Sequence, residues 1–161
     1  MSERPGAVCV AVSCPGAGPD ATTEVLEHAG ALGRALAGAG ATVVCGGLGG
    51  AMDSLAAGVR AGGGTCIGLL PGADRSQASA ALSLALPTGL GQARNAVLAT
   101  AGEALIAVGR GYGTLSEVAF ALRLGRPVVL LASWDVPGAI AVADAASAAA
   151  AALQAVAERR G

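Results

Sequence analysis

Short apolar runs alternate along this chain with longer segments whose apolar positions recur at helical spacing. Ala7 to Ser13 (AVCVAVS) is apolar without alternation and ends at Pro15-Gly16, the pattern of a strand buried on both faces. Asp20 and Thr22/Thr23 then offer an N-cap, and a helix runs to about Ala37, where Gly38 and Gly40 stop it. Ala41 to Cys45 (ATVVC) is the second strand and passes directly into Gly46-Gly47-Leu48-Gly49-Gly50. Ala51 to about Ala61 is helical, closed by Gly62-Gly63-Gly64, and Thr65 to Leu70 is a strand ended by Pro71-Gly72. Between positions 73 and 91 the periodicity fades, with Leu82 to Leu86 a short strand before Pro87-Thr88-Gly89. A helix follows over Gln92–Ala101, a strand over Ala104–Val108 and a helix over Thr114–Leu124, closed by Gly125. Pro127 to Leu131 is the last strand expected, and Pro137-Gly138 opens a final helix to about Glu158.

Strand and helix alternate throughout, which calls for an α/β fold: a single doubly wound, mostly parallel sheet flanked by helices, Rossmann-like, with right-handed crossovers. No linker interrupts the pattern, so residues 1–161 read as one domain. In this architecture ligands lie beyond the carboxyl ends of the strands, near the point where the strand order reverses.

The apolar content, 53% of residues, raises the question of a membrane. No uninterrupted apolar run reaches the roughly 20 residues needed to span a bilayer. The N-terminal Met1-Ser-Glu-Arg-Pro lacks a signal-peptide layout. The expectation is a soluble, cytoplasmic protein with no membrane partner. All ten basic residues are Arg, and Lys is absent. An internal Schiff base with pyridoxal phosphate is thereby excluded, as is a phosphate loop of the Walker type. A Ser-His-Asp triad would have to use the one histidine, His28, which reads as a surface residue of the first helix. A net charge of −1 and three aromatic residues, Tyr112, Phe120 and Trp134, argue against a nucleic-acid partner. Cys9, Cys14, Cys45 and Cys66 show no paired ligand spacing, so they read as small buried hydrophobes and no metal site is expected.

Two glycine loops each leave a strand and open a helix: Gly46-Gly47-Leu48-Gly49-Gly50, and Gly109-Arg110-Gly111-Tyr112-Gly113-Thr114. Glycine lets backbone N–H groups approach an anion, and a helix N-terminus adds partial positive charge. Gly46, Gly47, Gly49, Gly50, Gly111, Gly113 and Thr114 are therefore candidate phosphate- or nucleotide-binding positions. Arg110 could add a phosphate contact or block the loop, and Tyr112 could stack on a base or cap the loop. Arg94 is the only charged residue between Arg75 and Glu103, and with Asn95 it opens a predicted helix. A guanidinium there suits bidentate phosphate binding. Thr114-x-x-Glu117 is the spacing of a capping box. If Glu117 instead faces the pocket, its charge belongs beside another part of the ligand than the phosphate. Asp53 is a weaker case of the same kind.

Four motifs occur in order: Gly46-Gly47-Leu48-Gly49-Gly50-Ala51-Met52-Asp53, Gly63-Gly64-Thr65-Cys66-Ile67-Gly68-Leu69-Leu70-Pro71-Gly72, Ala93-Arg94-Asn95, and Gly111-Tyr112-Gly113-Thr114-Leu115-Ser116-Glu117. Together they resemble the Lonely Guy superfamily of Rossmann-like nucleotide-binding proteins. The resemblance implies a nucleoside 5′-monophosphate phosphoribohydrolase that cleaves an N-glycosidic bond, with Arg94 and Glu117 as the catalytic pair and no required cofactor. It also implies a homo-oligomer, dimer or tetramer, and a nucleotide-like small-molecule ligand. The sequence departs from that branch at Gly109-Arg110-Gly111, where Pro-Gly-Gly is usual, and at Asn95, where Lys is usual. Asn95, Pro87-Thr88-Gly89 and the Tyr-Gly-Thr-Leu-Ser-Glu run are similar to a sister branch that includes molybdenum-cofactor carrier proteins. That branch implies the alternative: a non-catalytic carrier or sensor of a phosphate-bearing cofactor such as the molybdenum cofactor.

Overall fold

The computed structural model describes residues 6–161. Seven strands form one sheet: β1 (Cys9–Ser13), β2 (Thr42–Cys45), β3 (Thr65–Leu70), β4 (Leu84–Pro87), β5 (Ala104–Val108), β6 (Val128–Leu131) and β7 (Ile140–Val142). Five helices surround it: α1 (Thr23–Gly38), α2 (Ala51–Ala61), α3 (Arg94–Ala101), α4 (Tyr112–Arg123) and α5 (Ala145–Arg160). The strand order is β4-β3-β2-β1-β5-β6-β7, and every neighbouring pair is parallel. The order reverses between β1 and β5, which is the switch point of a doubly wound sheet.

Side-chain alternation along each strand divides the core into two layers. Val10, Val12, Val43, Ile106 and Leu131 pack with Leu32 and Leu36 of α1, Leu55 and Val59 of α2, and Ala148 and Ala152 of α5. The opposite strand faces, Ala11, Val44, Leu105, Ala107 and Leu130, pack with Leu98 of α3 and Val118 and Ala121 of α4. Each such leucine, fully buried, stabilises the fold by about 1.5–3 kcal/mol. The alanine-rich α5 buries Ala145, Ala148, Ala149, Ala152 and Val156, a stripe of small residues against α1, β5 and β6. The four alanines of this stripe let α5 pack closely. Glycines serve similarly between α1 and α2: a Cβ on Gly33 would lie 2.8 Å from the Val59 nitrogen, and one on Gly58 would overlap the Gly30 carbonyl.

The sheet and its helices match the sequence expectation, with three local corrections. First, the segment expected to open the final helix contains β7 instead. Gly138 turns with φ +89°, Ile140–Val142 pairs with β6, and α5 starts only at Ala145. Asp144 caps α5 by accepting from the Ser147 N–H at 2.8 Å. Second, α4 begins two residues early, at Tyr112, with Gly111 as its N-cap. Thr114 therefore lies inside the helix, and the Thr114–Glu117 capping box does not form. Third, α3 begins at Arg94 behind a 3₁₀ turn over Gly91–Ala93.

Candidate functional site

A cleft of about 330 Å³ opens where the strand order reverses, beyond the carboxyl ends of β1 and β2. One wall is the loop after β1, from Cys14 to Asp20. The opposite wall is the first turn of α4, from Gly111 to Thr114, and the floor carries Ser13, Arg94 and Glu117.

Arg94 is the first residue of α3 and is only 7% exposed. Its guanidinium lies against the end of β2, and a Cβ on Gly46 would sit 2.5 Å from Nη1 and 2.6 Å from the Met52 sulfur. Gly46 is thus the residue that leaves room for the arginine. Nη1 is 3.7 Å from Glu117 Oε1, too long for a hydrogen bond, and the buried Nε has no partner. A guanidinium that lines a cleft and makes no hydrogen bond to the carboxylate beside it is a group suited to receive an anion.

Glu117 is carried into the floor by the second turn of α4. The Ser13 hydroxyl, at the end of β1, donates to its Oε2. Burial pushes the carboxyl up to about 7, against the lowering pull of the Ser13 hydrogen bond and the Arg94 charge. Near neutral pH the group is therefore more readily protonated than an ordinary carboxyl, which lessens the repulsion an incoming anion would meet.

Gly111 gives α4 no side-chain cap, and the first intrahelical bond runs from Leu115 N–H to the Gly111 carbonyl at 3.0 Å. The N–H groups of Tyr112, Gly113 and Thr114 precede that bond and have no acceptor within the helix. They stand at the positive end of a 12-residue helix that borders the cleft. Asn95 Nδ2 donates to Ser116 Oγ at 3.0 Å, and that hydroxyl donates to the Gly113 carbonyl at 2.7 Å. This chain fixes the start of α3, and so Arg94, to the first turn of α4.

Of the positions singled out in the sequence, Gly46, Arg94, Asn95, Gly111, Tyr112, Gly113, Thr114 and Glu117 line the cleft. Gly47, Gly49, Gly50 and Arg110 do not. The glycine loop after β2 serves mainly close backbone approach, to the β1 loop and to β3. Gly50 has φ +65° and a Cβ there would overlap the Gly16 backbone, while one on Gly47 would lie 2.9 Å from the Gly68 Cα. Arg110 turns away, its Nε donating to the Ser133 carbonyl at 3.1 Å. Asp53 accepts from the Ser79 hydroxyl outside the cleft. The loop after β1, a wall of the cleft, is in the sequence pattern only the end of a strand. Its Cys14-Pro15-Gly16-Ala17-Gly18-Pro19 composition, at the carboxyl end of the strand nearest the switch point, is the signal that could have found it.

Cys14, Cys45 and Cys66 are buried, Cys9 is half-buried and all four are free thiols. Among the described residues no group of three or more metal-ligating side chains converges, and no helix is long and apolar enough to cross a membrane.

A seven-stranded parallel sheet with a ligand-sized cleft at its switch point defines a Rossmann-like α/β protein. Residues 9–158 match the model of the SLOG cluster4 family, and the chain belongs to that family. Among solved structures it is similar to the molybdenum cofactor carrier protein of Chlamydomonas reinhardtii, at 36% identity and a TM-score of 0.86 over 94% of this chain and 99% of that one. It is also similar to the molybdenum cofactor binding protein of the phototrophic bacterium Rippkaea orientalis, at 29% identity and a TM-score of 0.84 over 96% and 98% of the two chains. An uncharacterized protein of Archaeoglobus fulgidus is 37% identical over 100 residues, which is 62% of this chain and 66% of that protein, just under two thirds of its length.

Proposed function

We propose that the cleft binds a phosphate-bearing small molecule and that the protein carries this molecule rather than cleaving it, the cargo being of the molybdenum-cofactor type. The buried Arg94 guanidinium, which lines the same cleft as the uncapped start of α4, carries this reading. It offers N–H donors on two sides of one space, the donor set a phosphate monoester needs. In the cargo, Arg94 and the N–H groups of residues 112–114 would hold the phosphate, and the walls formed by the β1 loop and Tyr112 would enclose the remainder. The likeness to carrier and binding proteins of the molybdenum cofactor over 94–96% of the chain supports the same choice.

Glu117 is the reason to place carrying before catalysis. Its Oε2 accepts from Ser13, its Oε1 faces Arg94 at 3.7 Å, and the residue is only 5% exposed. In that state it is a poor anchor for a water or a sugar. The second reading, a phosphoribohydrolase, rests on the Arg94–Glu117 pair itself, whose carboxyl is poised near neutrality. The carrier reading takes the protein to be cytoplasmic and self-associating.

Mass spectrometry of the protein purified natively from a host that makes the cofactor tests the proposal. A bound pterin phosphate is expected, and Arg94→Ala is expected to lower its occupancy at least about tenfold, the loss for a buried charged hydrogen bond. A protein that arrives without pterin and releases free base from nucleoside monophosphates would overturn the carrier in favour of the hydrolase.

A further inference from the structure

Tyr112 and Trp134 are the single Tyr and the single Trp of the chain, and they stack on one another, ring centres 5.9 Å apart and planes inclined by 27°. Tyr112 lines the cleft and is 83% exposed, whereas Trp134 stands behind it in the loop after β6. An aromatic ring left so bare is ordinarily mobile. This one is held by three ties between two loops. The Trp134 indole N–H donates to the Gly111 carbonyl at 3.4 Å, Arg110 Nε donates to the Ser133 carbonyl at 3.1 Å, and Gly109 N–H donates to the Leu131 carbonyl at 3.2 Å. Ala132, between Leu131 and Ser133, is the only non-glycine with positive φ (49°) among the described residues. Such a conformation persists where the surroundings impose it. The loop after β6 is thus bent out of its ordinary path and strapped to the glycine loop, with Trp134 backing the tyrosine ring.

From this arrangement we infer that Tyr112 is a fixed stacking platform at the cleft mouth, which selects phosphate esters carrying a flat nitrogen heterocycle over sugar phosphates. The inference rests on the phosphate site proposed above and adds the ring that the phosphate brings with it. A heterocycle laid on the open face of Tyr112 gains stacking without displacing any side chain. Pre-stacking on Trp134 reduces the entropy lost when the platform is used. Arg110, the residue where a glycine is usual, acts as part of the strap and not as a phosphate ligand.

Isothermal titration of the full chain with neopterin monophosphate and with ribose 5-phosphate, read alongside Trp134 fluorescence, tests this. The pterin ester is expected to bind more tightly and to quench Trp134, and ribose 5-phosphate to bind without quenching. Tyr112→Ala is expected to weaken the pterin ester about tenfold more than it weakens ribose 5-phosphate, while Tyr112→Phe keeps the preference. Equal binding of the two esters by the wild type would overturn the platform and leave the phosphate site standing. Binding of neither would overturn the phosphate site and the platform with it. A Tyr112→Ala protein that changes its oligomeric state but keeps the wild-type ratio of affinities would show that the ring serves a subunit contact, and would also overturn the platform.

Discussion

At the scale of single residues, Glu117 decides how the cleft treats an anion. Its folded value of about 7 stands above the ordinary 4.5 because burial outweighs both Ser13 and Arg94. A carboxyl whose value is raised on folding favours the folded state at low pH, below about 4.5, and that stabilisation is lost as pH rises through 7. The window from 4.5 to 7 corresponds to about 3 kcal/mol. Urea titrations at pH 4.5 and pH 8 should therefore show the wild type losing up to about 3 kcal/mol relative to Glu117→Gln, whose amide does not titrate. A variant and wild type with parallel pH profiles would show that folding leaves the Glu117 carboxyl at its ordinary value. The partners of Glu117 explain what could be read at this scale in advance. Arg94 stood out as a lone charge in a long uncharged stretch. Ser13 gave no signal, because it meets Glu117 across 104 positions of sequence, and only the β1–β5 adjacency brings the two together. Thr114-x-x-Glu117 even pointed elsewhere, since the spacing of a capping box and the spacing of two cleft residues one turn apart are the same.

Among the elements, the strands with continuous apolar runs are the legible ones. β3 and β5 fall where their apolar runs are, bounded by glycine and proline. β7 was missed because an edge strand of three residues, with Ile140 and Ala141 exposed, carries neither an apolar run nor an alternation long enough to read. The glycines were legible as turns but not as helix contacts. Gly33 and Gly58 sit within α1 and α2, where the pattern gives no reason for them until the two helices are seen to touch backbone to backbone. Gly58→Ala should destabilise the protein by about 1–3 kcal/mol through overpacking. Gly38→Ala, in the last turn of α1 with nothing within 4 Å, should be neutral or stabilising by up to about 1 kcal/mol. Denaturation midpoints of the two variants compare them directly; equal effects would mean that α1 and α2 separate easily.

The whole molecule is asymmetric about its sheet, and the asymmetry bears on where a second copy would pack. Three helices, α1, α2 and α5, cover one face and bury their apolar stripes. Only α3 and α4 pack over the other layer, and there Val97, Phe120 and Leu124 remain 40–49% exposed. Apolar side chains gathered on one helical layer, in a chain of net charge −1, favour contact over solvation. A twofold contact would place the same stripe of each copy against the other. Phe120 lies about 12 Å along α4 from Tyr112, so such a contact would border the cleft mouth without filling it. The same helix would then serve both purposes, its first turn facing the ligand and its later turns a second copy. Phe120→Asp should convert an oligomer into a monomer in sedimentation velocity while leaving the affinity for a pterin phosphate within about twofold, since no atom of Phe120 reaches the cleft. Loss of binding together with loss of assembly would mean instead that the neighbouring copy completes the site. An unchanged sedimentation coefficient would mean that the α3–α4 face makes no contact between copies.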